Sequence, residues 1–494
     1  MKLSVYRILH VPLLFISVAT WVGCSEEKRE DSRLNILWIM ADDLGPDLSC
    51  YGTSEVFTPN LDRLAMEGTR YTNLFTVAAV SSVSRSAMIT GMYPVSINCH
   101  QHRTQFKSEL LDPVKPITEY FREAGYYVSN GSAKDCNEFG KTDYNFIHSV
   151  DSMYDGTDWS GRKEGQPFFA QIQISNPHRP FISDEEHPVN PEKIDIPPCY
   201  PDHPITRKDW ALYLESVQAV DRQVGRILAR LENEGLLDNT VVFFFGDQGQ
   251  PHMRSKQFMY EEGCHTPLIV RWPGMLKPNT VSKQLISNVD LSAEALDIAN
   301  IPVPSYMHGQ IFIGEVIYPR EYIFSMRDRR DETVDRIRSV RSERYRYIRN
   351  FYPELPYTQP NAYKKFNYPV LTLMRLMHKA GTLSKEQDQF MTETRPEEEL
   401  YDILNDPFCL NNLANNIEFC EIKNEMSNYL DVCLEKYDKG IYPENECEIK
   451  YAKTLMERDF TRWMTREGLS VDISDEDFLE WWVKKLNVDV LKTN

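Results

Sequence analysis

Four apolar runs stand out along the chain, separated by stretches in which apolar residues recur at helical spacing. The runs read LNILWIMADD (34–43), FFAQIQIS (168–175), VVFFFGDQG (241–249) and PLIVRWPG (267–274). Their short length and their apolar or alternating character predict strands rather than helices. After the second run, one long amphipathic helix that ends at Gly235 is predicted by apolar residues on a single stripe: Leu214, Val217, Val220, Val224, Ile227 and Leu231.

Strands that alternate with helices predict an α/β fold with a mostly parallel sheet covered by helices on both faces. A further helix is predicted to begin at Thr58-Pro59, with threonine as its cap and proline at its first position. After about Tyr357 the chain becomes rich in Pro, Tyr and Asn, and it ends in an acidic, Trp-rich tail. We therefore expect a main domain over 34–356 and a smaller α+β C-terminal subdomain over 357–494.

The amino terminus has the pattern of an export signal. Lys2 and Arg7 precede an apolar run over 11–22, which is shorter than the roughly 20 residues that a membrane-spanning helix needs. The Gly23-Cys24 pair, followed by polar residues, resembles a bacterial lipoprotein cleavage site at which Cys24 is acylated. A plain signal peptide with an incidental cysteine is the alternative.

This pattern predicts a lipoprotein signal peptide over 1–23 and a linker over 24–33. We expect an exported protein, in the periplasm or on the surface of a Gram-negative bacterium, that contacts the membrane only through its lipid anchor. The 494 residues carry a net charge of −18 without any basic run, so nucleic acid is not an expected partner. An anionic ligand would have to be attracted by local groups.

The cysteines do not form a metal-binding or redox motif. There are ten, no CxxC pair occurs, and setting Cys24 aside leaves an odd number. In an exported protein, a disulfide within the late cluster is one interpretation. That cluster consists of Cys409, Cys420, Cys433 and Cys447.

Two of the predicted strands end in acidic residues. Asp42 and Asp43 follow the first, and Asp247 and Gln248 follow the third. Ligands of open α/β sheets bind beyond the carboxyl ends of the strands. Carboxylate and amide oxygens suit Ca²⁺ or Mg²⁺ and are poor zinc ligands. We predict a single Ca²⁺ held by these four residues; the alternative is a set of solvated acids at strand ends.

The segment VSSVSRSAMITGMYP (80–94) has two interpretations. Its serines suit the capped start of a helix that ends at Gly91. Alternatively, a nucleophilic serine lies at the positive end of the helix dipole, with Arg85 one turn away to bind an anion.

The order of several short motifs decides between these interpretations, because it resembles that of the type I sulfatases of the alkaline phosphatase superfamily. The motifs are ADDLG, TPNLDRLA, SSVSRSAMITG, NPHRP, GDQG, KQFMYEEG and PLIVRWPG, followed by ELYDILNDPF at 399–408. The resemblance begins at about Asn35 and implies an alkaline phosphatase-like fold with a C-terminal subdomain. Within the family, RSERYRYIRNF (341–351) resembles heparan N-sulfatases and related bacterial glycan sulfatases.

The sulfatase signature is Cys or Ser, any residue, Pro or Ala, any residue, then Arg. Aligned on Arg85, it implies that a maturase oxidises Ser81 to formylglycine (3-oxoalanine). In the family, one hydroxyl of the hydrated aldehyde attacks sulfur, and the other later expels sulfate as the aldehyde re-forms. Val83 departs from the usual Pro or Ala.

Further roles follow from matching positions. The resemblance implies that Arg85 orients the nucleophile, that His178 contacts the sulfate and its leaving oxygen, and that Lys256 binds sulfate. The family's G-K-x-H segment is matched best by GKTDYN, in which Lys141 is the lysine and Asp143 replaces the histidine. Lys134 is the competing assignment.

The predicted function is hydrolysis of O- or N-linked sulfate from sulfated sugars or glycosaminoglycan fragments. HQHRT (100–104) and MRDRRDE (326–332) are candidate sugar-recognising loops. One alternative is a phosphoesterase or phosphonate hydrolase of the same superfamily. The other is a non-catalytic glycan-binding protein in which Ser81 stays unmodified.

Overall fold

The computed structural model describes residues 33–315 and 317–489. The predicted signal peptide and Cys24 lie outside these residues, as does the predicted linker except for Arg33. The strands are β1 (Asn35–Asp42), β2 (Thr69–Phe75), β3 (Tyr127–Ser132), β4 (Phe168–Pro177), β5 (Thr240–Gly246), β6 (His265–Arg271), β7 (Thr280–Ser282), β8 (Ile286–Ser287), β9 (Ile323–Arg327), β10 (Ile337–Arg341), β11 (Tyr345–Asn350) and β12 (Glu398–Asp402).

The α-helices are α1 (Pro59–Glu67), α2 (Ser81–Thr90), α3 (Ile117–Glu123), α4 (Val150–Met153), α5 (Pro204–Asn233), α6 (Glu261–Cys264), α7 (Asp290–Ile298), α8 (Ala362–Asn367), α9 (Pro369–Ala380), α10 (Lys385–Asp388), α11 (Cys420–Tyr437), α12 (Glu446–Arg466) and α13 (Asp475–Leu486). All four apolar runs form strands, and the predicted long amphipathic helix is α5. Among the described residues, no helix is both long enough and apolar enough to cross a membrane.

The main sheet has the order β3-β4-β1-β5-β6-β2-β7, and β8 also pairs with β2. Strand β1 lies inside the sheet and runs parallel to both of its neighbours, β4 and β5. Strand β6 runs antiparallel to its neighbours β5 and β2. The sheet is therefore mixed and mostly parallel, as predicted.

Helices cover both faces of this sheet because successive side chains of a strand point to opposite faces. From β1, Leu37 and Ile39 pack with α1 and α5 on one face. Ile36 and Trp38 pack with α2, α3 and α7 on the other. All eight residues of β1 are buried, which explains why the run is almost continuously apolar.

A second, antiparallel sheet has the order β12-β11-β10-β9. Helix α11 packs on it through Met426 and Leu430, and Ala87 of α2 joins the same apolar cluster. The α+β character predicted for the C-terminal part is confirmed. The sheet takes strands from both sides of residue 357, and the division into 34–356 and 357–494 stays a prediction.

Two local predictions need correction. Thr58 precedes α1 as expected, but its hydroxyl does not cap the helix; it accepts a hydrogen bond from the amide of Ser49 at 3.0 Å. The late cysteines form no disulfide, since every cysteine among the described residues is free. Cys420 and Cys433 lie thirteen residues apart on the single helix α11, about 20 Å along its axis. A disulfide requires Cα atoms within about 7 Å.

Candidate active site

The site lies at the edge where three neighbouring parallel strands end. Ala41 of β1 pairs with Gly246 of β5, and Asp42 pairs with Pro177 of β4. Residues that directly follow these strands are therefore neighbours in space. The amide of Asp43 donates to Oδ1 of Asp247 at 2.9 Å, which joins the ends of β1 and β5.

Helix α2 points its first residue at this edge. All ten of its residues are buried, and Gly91 closes it in a left-handed conformation with φ of 65°. The capping interpretation of its serines is wrong, because the capping position belongs to Val80 and no side chain caps the helix. Oγ of Ser81 instead donates to Oδ1 of Asp42 at 3.1 Å.

Helix α2 is fixed to the end of β5 one turn later. The hydroxyl of Ser84 donates to the carbonyl of Asp247 and accepts from Nδ2 of Asn288 at 2.9 Å. Arg85 donates from Nε to Oδ2 of Asp247 at 2.8 Å, and its terminal nitrogens reach Gln173 at 2.6 Å and Asp42 at 3.4 Å. The four-residue spacing of Ser81 and Arg85 thus places both side chains on the acids at the strand ends.

The two competing lysines lie in different surroundings. Nζ of Lys141 donates to both carboxylate oxygens of Asp42, at 3.0 and 2.9 Å. Lys134 is exposed, and its backbone amide bonds to Ser132. Asp143, which replaces the family's histidine, pairs with Arg103 at 2.7 Å. Of the two lysines, only Lys141 is brought to the acids.

Lys256 and His178 gather around the second acid. Nζ of Lys256 lies 2.5 Å from Oδ2 of Asp43, and its side chain is 2% exposed. Nε2 of His178 lies 3.8 Å from the same oxygen, and that side chain is 30% exposed. Nδ1 of His178 is 2.6 Å from the carbonyl of Arg179, so Nδ1 must carry the hydrogen. The guanidinium of Arg179 is held by both carboxylate oxygens of Asp209 on α5.

The surroundings lower the pKa of two of the three acids and raise the pKa of the third. Burial opposes ionisation of Asp42 and Asp43, but Lys141 and Arg85 hold the pKa of Asp42 well below its usual range, and Lys256 lowers the pKa of Asp43. Burial and the charge of Asp42 raise the pKa of Asp247 to about 7, although Arg85 opposes this. The cations around the site therefore do not fully offset the negative charge of a third carboxylate, that of Asp247.

The arrangement fits a hard divalent cation. Carboxylate oxygens of Asp42, Asp43 and Asp247 all lie within 4.8 Å of one another. Gln248 turns its amide nitrogen toward Asp43, and within the described part of the chain its buried Oε1 has no hydrogen-bond partner. Three carboxylates with one unpaired carbonyl oxygen are the ligand types that Ca²⁺ and Mg²⁺ prefer.

Two buried residues of the site were not predicted. Gln173, in the interior of β4, accepts from Arg85 and donates to Asn130 at 3.1 Å. Its signal was a pair of glutamines, Gln171 and Gln173, within a buried run of β4. Asn288 accepts from the amide of Val77 at 3.0 Å and donates to Ser84, and no sequence motif marks it.

Comparison with known proteins places this arrangement in a family. The family model described as Sulfatase matches residues 34–301, and the one described as N-sulphoglucosamine sulphohydrolase, C-terminal, matches 249–358. An ulvan-active sulfatase of Formosa agariphila is 34% identical over 89% of this chain and 84% of its own length. The chain belongs to the sulfatase family. This sulfatase is accordingly a hydrolase of sulfuric esters or sulfamides, which confirms the predicted family and enzyme class.

More distant relatives also match most of the chain. Human N-sulphoglucosamine sulphohydrolase is 26% identical to this sulfatase over 78% of the chain and 87% of its own length. A structure solved with its substrate D-glucosamine-2-N,6-O-disulfate has a TM-score of 0.61 at 19% identity, covering 84% of this chain and 100% of that one. Phosphonate monoester hydrolase of Agrobacterium radiobacter has a TM-score of 0.60 at 17% identity, covering 82% and 96%. At such identities these two structures show the fold alone, and they confirm the predicted alkaline phosphatase-like architecture.

Proposed function

We propose that this sulfatase is an exported enzyme that removes O- or N-linked sulfate from sulfated sugars or glycosaminoglycan fragments. Its nucleophile would be formylglycine made from Ser81 by a maturase, and one Ca²⁺ would be its metal. The observation that carries the proposal is the convergence of Ser81, Arg85 and Lys141 on the single carboxylate of Asp42. At Asp42, the proposed nucleophile and two cations therefore contact an acid of the proposed metal site.

Asp42, Asp43, Asp247 and Gln248 would hold the Ca²⁺, which when bound polarises the sulfate and favours ionisation of the attacking hydroxyl. Lys141 and Lys256 contact the same acids, and we infer that both turn to the sulfate oxygens once the acids bind the cation. Once so placed, these buried or half-buried cations would stabilise the negative charge of the transition state, because little water screens them. Hydrated formylglycine supplies one hydroxyl for attack on sulfur and a second whose deprotonation releases sulfate.

Most residues of the candidate sugar loops are buried, and the support for a glycan substrate comes from Arg103, which is exposed. Nδ1 of His102 lies 3.0 Å from Asp331, so the loops 100–104 and 326–332 contact each other. Arg103 reaches Asp143, two residues beyond Lys141, and its side chain is 53% exposed. A half-exposed guanidinium next to the proposed sulfate site suits a further sulfate or a carboxylate on the sugar. The relatives named for ulvan and N-sulphoglucosamine are consistent with such a substrate.

Release of inorganic sulfate from a substrate panel tests the proposal. The full chain should be produced with and without a serine-type maturase and offered ulvan oligosaccharides, N-sulfoglucosamine, sugar O-sulfates and a phosphonate ester. We expect sulfate release from at least one sugar, only from the matured protein. Faster turnover of the phosphonate ester than of every sulfate would favour the phosphonate hydrolase alternative. Glycan binding without turnover by matured protein would favour the binding-protein alternative.

Export and anchoring belong to the same proposal and rest on the charged, then apolar, amino terminus before Cys24. Mass spectrometry of the mature amino terminus, on protein from the native host, tests both export and anchoring. An acylated Cys24 as the first residue is expected. A mature chain that begins elsewhere would contradict the anchor.

The lysine assignment gives a sharp mutational prediction. A cation on the transferred group acts mainly in the transition state, so Lys141→Ala should lower kcat and kcat/KM together. We expect a loss on the order of a hundredfold or more, comparable to removing one oxyanion donor. Lys134→Ala is the matched control from the same segment and should change rates less than about threefold. The reverse ranking, measured on one sulfated sugar, would move the sulfate-binding role to Lys134.

A further inference from the structure

Tyr363 places a phenol at the catalytic centre, although it lies beyond both matched family ranges, 34–301 and 249–358. Its hydroxyl is 3.4 Å from Nε2 of His178. Because Nδ1 of His178 donates to the carbonyl of Arg179, Nε2 of the neutral ring can accept the phenol's hydrogen. Tyr363 therefore supplies a hydrogen-bond donor next to the histidine.

The residue is held firmly. It lies on α8, whose first amide and whose cap Asn361 both bond to the carboxylate of Glu332. The next residue, Lys364, is buried and donates to the carbonyls of Met253 and Lys256, at 2.6 and 2.9 Å. Helix α8 is thus attached directly to the backbone of the proposed sulfate-binding lysine.

Two cations lie close to the ring of Tyr363. Nζ of Lys256 is 5.4 Å and Cζ of Arg330 is 5.7 Å from the centroid of Tyr363. Both lie within the range of cation–π attraction. Cations over a phenol ring withdraw electron density and make its hydroxyl a better hydrogen-bond donor.

The position of Tyr363 relative to Ser81 indicates what the hydroxyl would contact. Ser81 bonds to Asp42, whereas Lys256 and His178 gather around Asp43, with Tyr363 next to them. In a displacement at sulfur, as at phosphorus, the attacking and departing oxygens lie on opposite sides of the transferred group. The departing oxygen is then expected on the Asp43 side. Lys256 is buried there, while His178 and Tyr363 are partly exposed.

We propose that Tyr363 is a catalytic residue whose hydroxyl, when substrate binds, exchanges its long hydrogen bond to His178 for one to the oxygen or nitrogen leaving with the sugar. This inference rests on the proposed sulfatase mechanism. The attacking hydroxyl loses one proton to water as its bond to sulfur forms, and the leaving atom gains one from water as its bond to sulfur breaks. The phenol keeps its own proton and stabilises the charge that develops on the leaving atom before that proton arrives.

The test is Tyr363→Phe, measured on a sugar sulfate and on 4-nitrophenyl sulfate. Nitrophenolate is a stable anion that leaves without a hydrogen-bond donor. A sugar alkoxide is a strong base and needs one. We expect kcat on the sugar to fall about tenfold to a hundredfold with KM nearly unchanged, and the rate on the aryl ester to fall less than about threefold. Tyr368→Phe is the control: its hydroxyl is buried nearby and has no hydrogen-bond partner within the described residues.

The outcomes separate this inference from the proposed function. If the wild type releases sulfate from neither ester, the proposed function fails first. If the wild type is active and Tyr363→Phe loses both activities equally, or neither, Tyr363 has no leaving-group role. If the active site does not accept the aryl ester, the sugar alone decides: a fall in kcat supports the role, and a rise in KM alone overturns it.

Discussion

Ser81→Ala should abolish sulfate release while leaving the fold intact. Removing a covalent nucleophile costs about six orders of magnitude in other hydrolases, and here it also removes the site of formylglycine formation. The stability cost should be small, about 1 kcal/mol, because the variant loses one hydrogen bond to Asp42. Asp42 keeps its contacts with Lys141 and Arg85. Sulfate release, thermal unfolding and circular dichroism measure the two effects separately.

The chain offers a matched control in the next residue. Ser82 is also buried on α2, and its hydroxyl has no hydrogen-bond partner in the part of the chain that the structure describes. Ser82→Ala should therefore keep both activity and stability. Mass spectrometry of the tryptic peptide should show a loss of two hydrogens at Ser81 in active enzyme. Unmodified Ser81 in fully active protein would contradict the formylglycine mechanism.

The main elements of the site could be predicted because each has a local signal. An apolar run that stops at two acids identifies both β1 and its end, and the same holds for β5 and Asp247. Parallel pairing of adjacent strands then brings these ends together without further information. The four-residue spacing of Ser81 and Arg85 is enough to predict that they share a face of α2.

The remaining parts of the site depend on contacts between distant segments. Asn288 reaches Ser84 across 204 residues, and Tyr363 reaches His178 across 185. Such pairings follow from tertiary packing, and a single sequence carries no periodic or spacing signal for them.

The late cysteines illustrate the opposite error, a local signal without a tertiary contact. Their clustering in sequence favoured a disulfide, but Cys433 points from α11 into the apolar cluster on the second sheet. Burial raises the pKa of its thiol to about 11, so it behaves as a small apolar residue.

Asp247→Asn should remove bound metal and activity together. Asparagine has nearly the same shape and keeps one oxygen that can accept from Arg85, while the ligand charge and the acceptor for the amide of Asp43 are lost. Burial next to Asp42 raises the pKa of Asp247 to about 7, so at neutral pH the carboxyl is about half protonated in the metal-free fold and loss of its charge should cost that fold little. The metal-free variant should thus lose only about 1 kcal/mol of stability, for the hydrogen bond from Asp43.

The two proteins should differ when Ca²⁺ is added. Metal at a hundredfold excess over its Kd stabilises a folded protein by about 2.7 kcal/mol, so wild type should melt at higher temperature with Ca²⁺ than with EDTA. Asp247→Asn should show little shift, and elemental analysis should find less than one ion per chain. Asp47→Asn is the matched control, because Asp47 is held by Tyr213 at 2.6 Å and by Gln250 at 2.9 Å and lies outside the acid cluster. Equal metal content in Asp247→Asn and wild type, or a pair of zinc ions in active wild type, would overturn the proposed Ca²⁺ site.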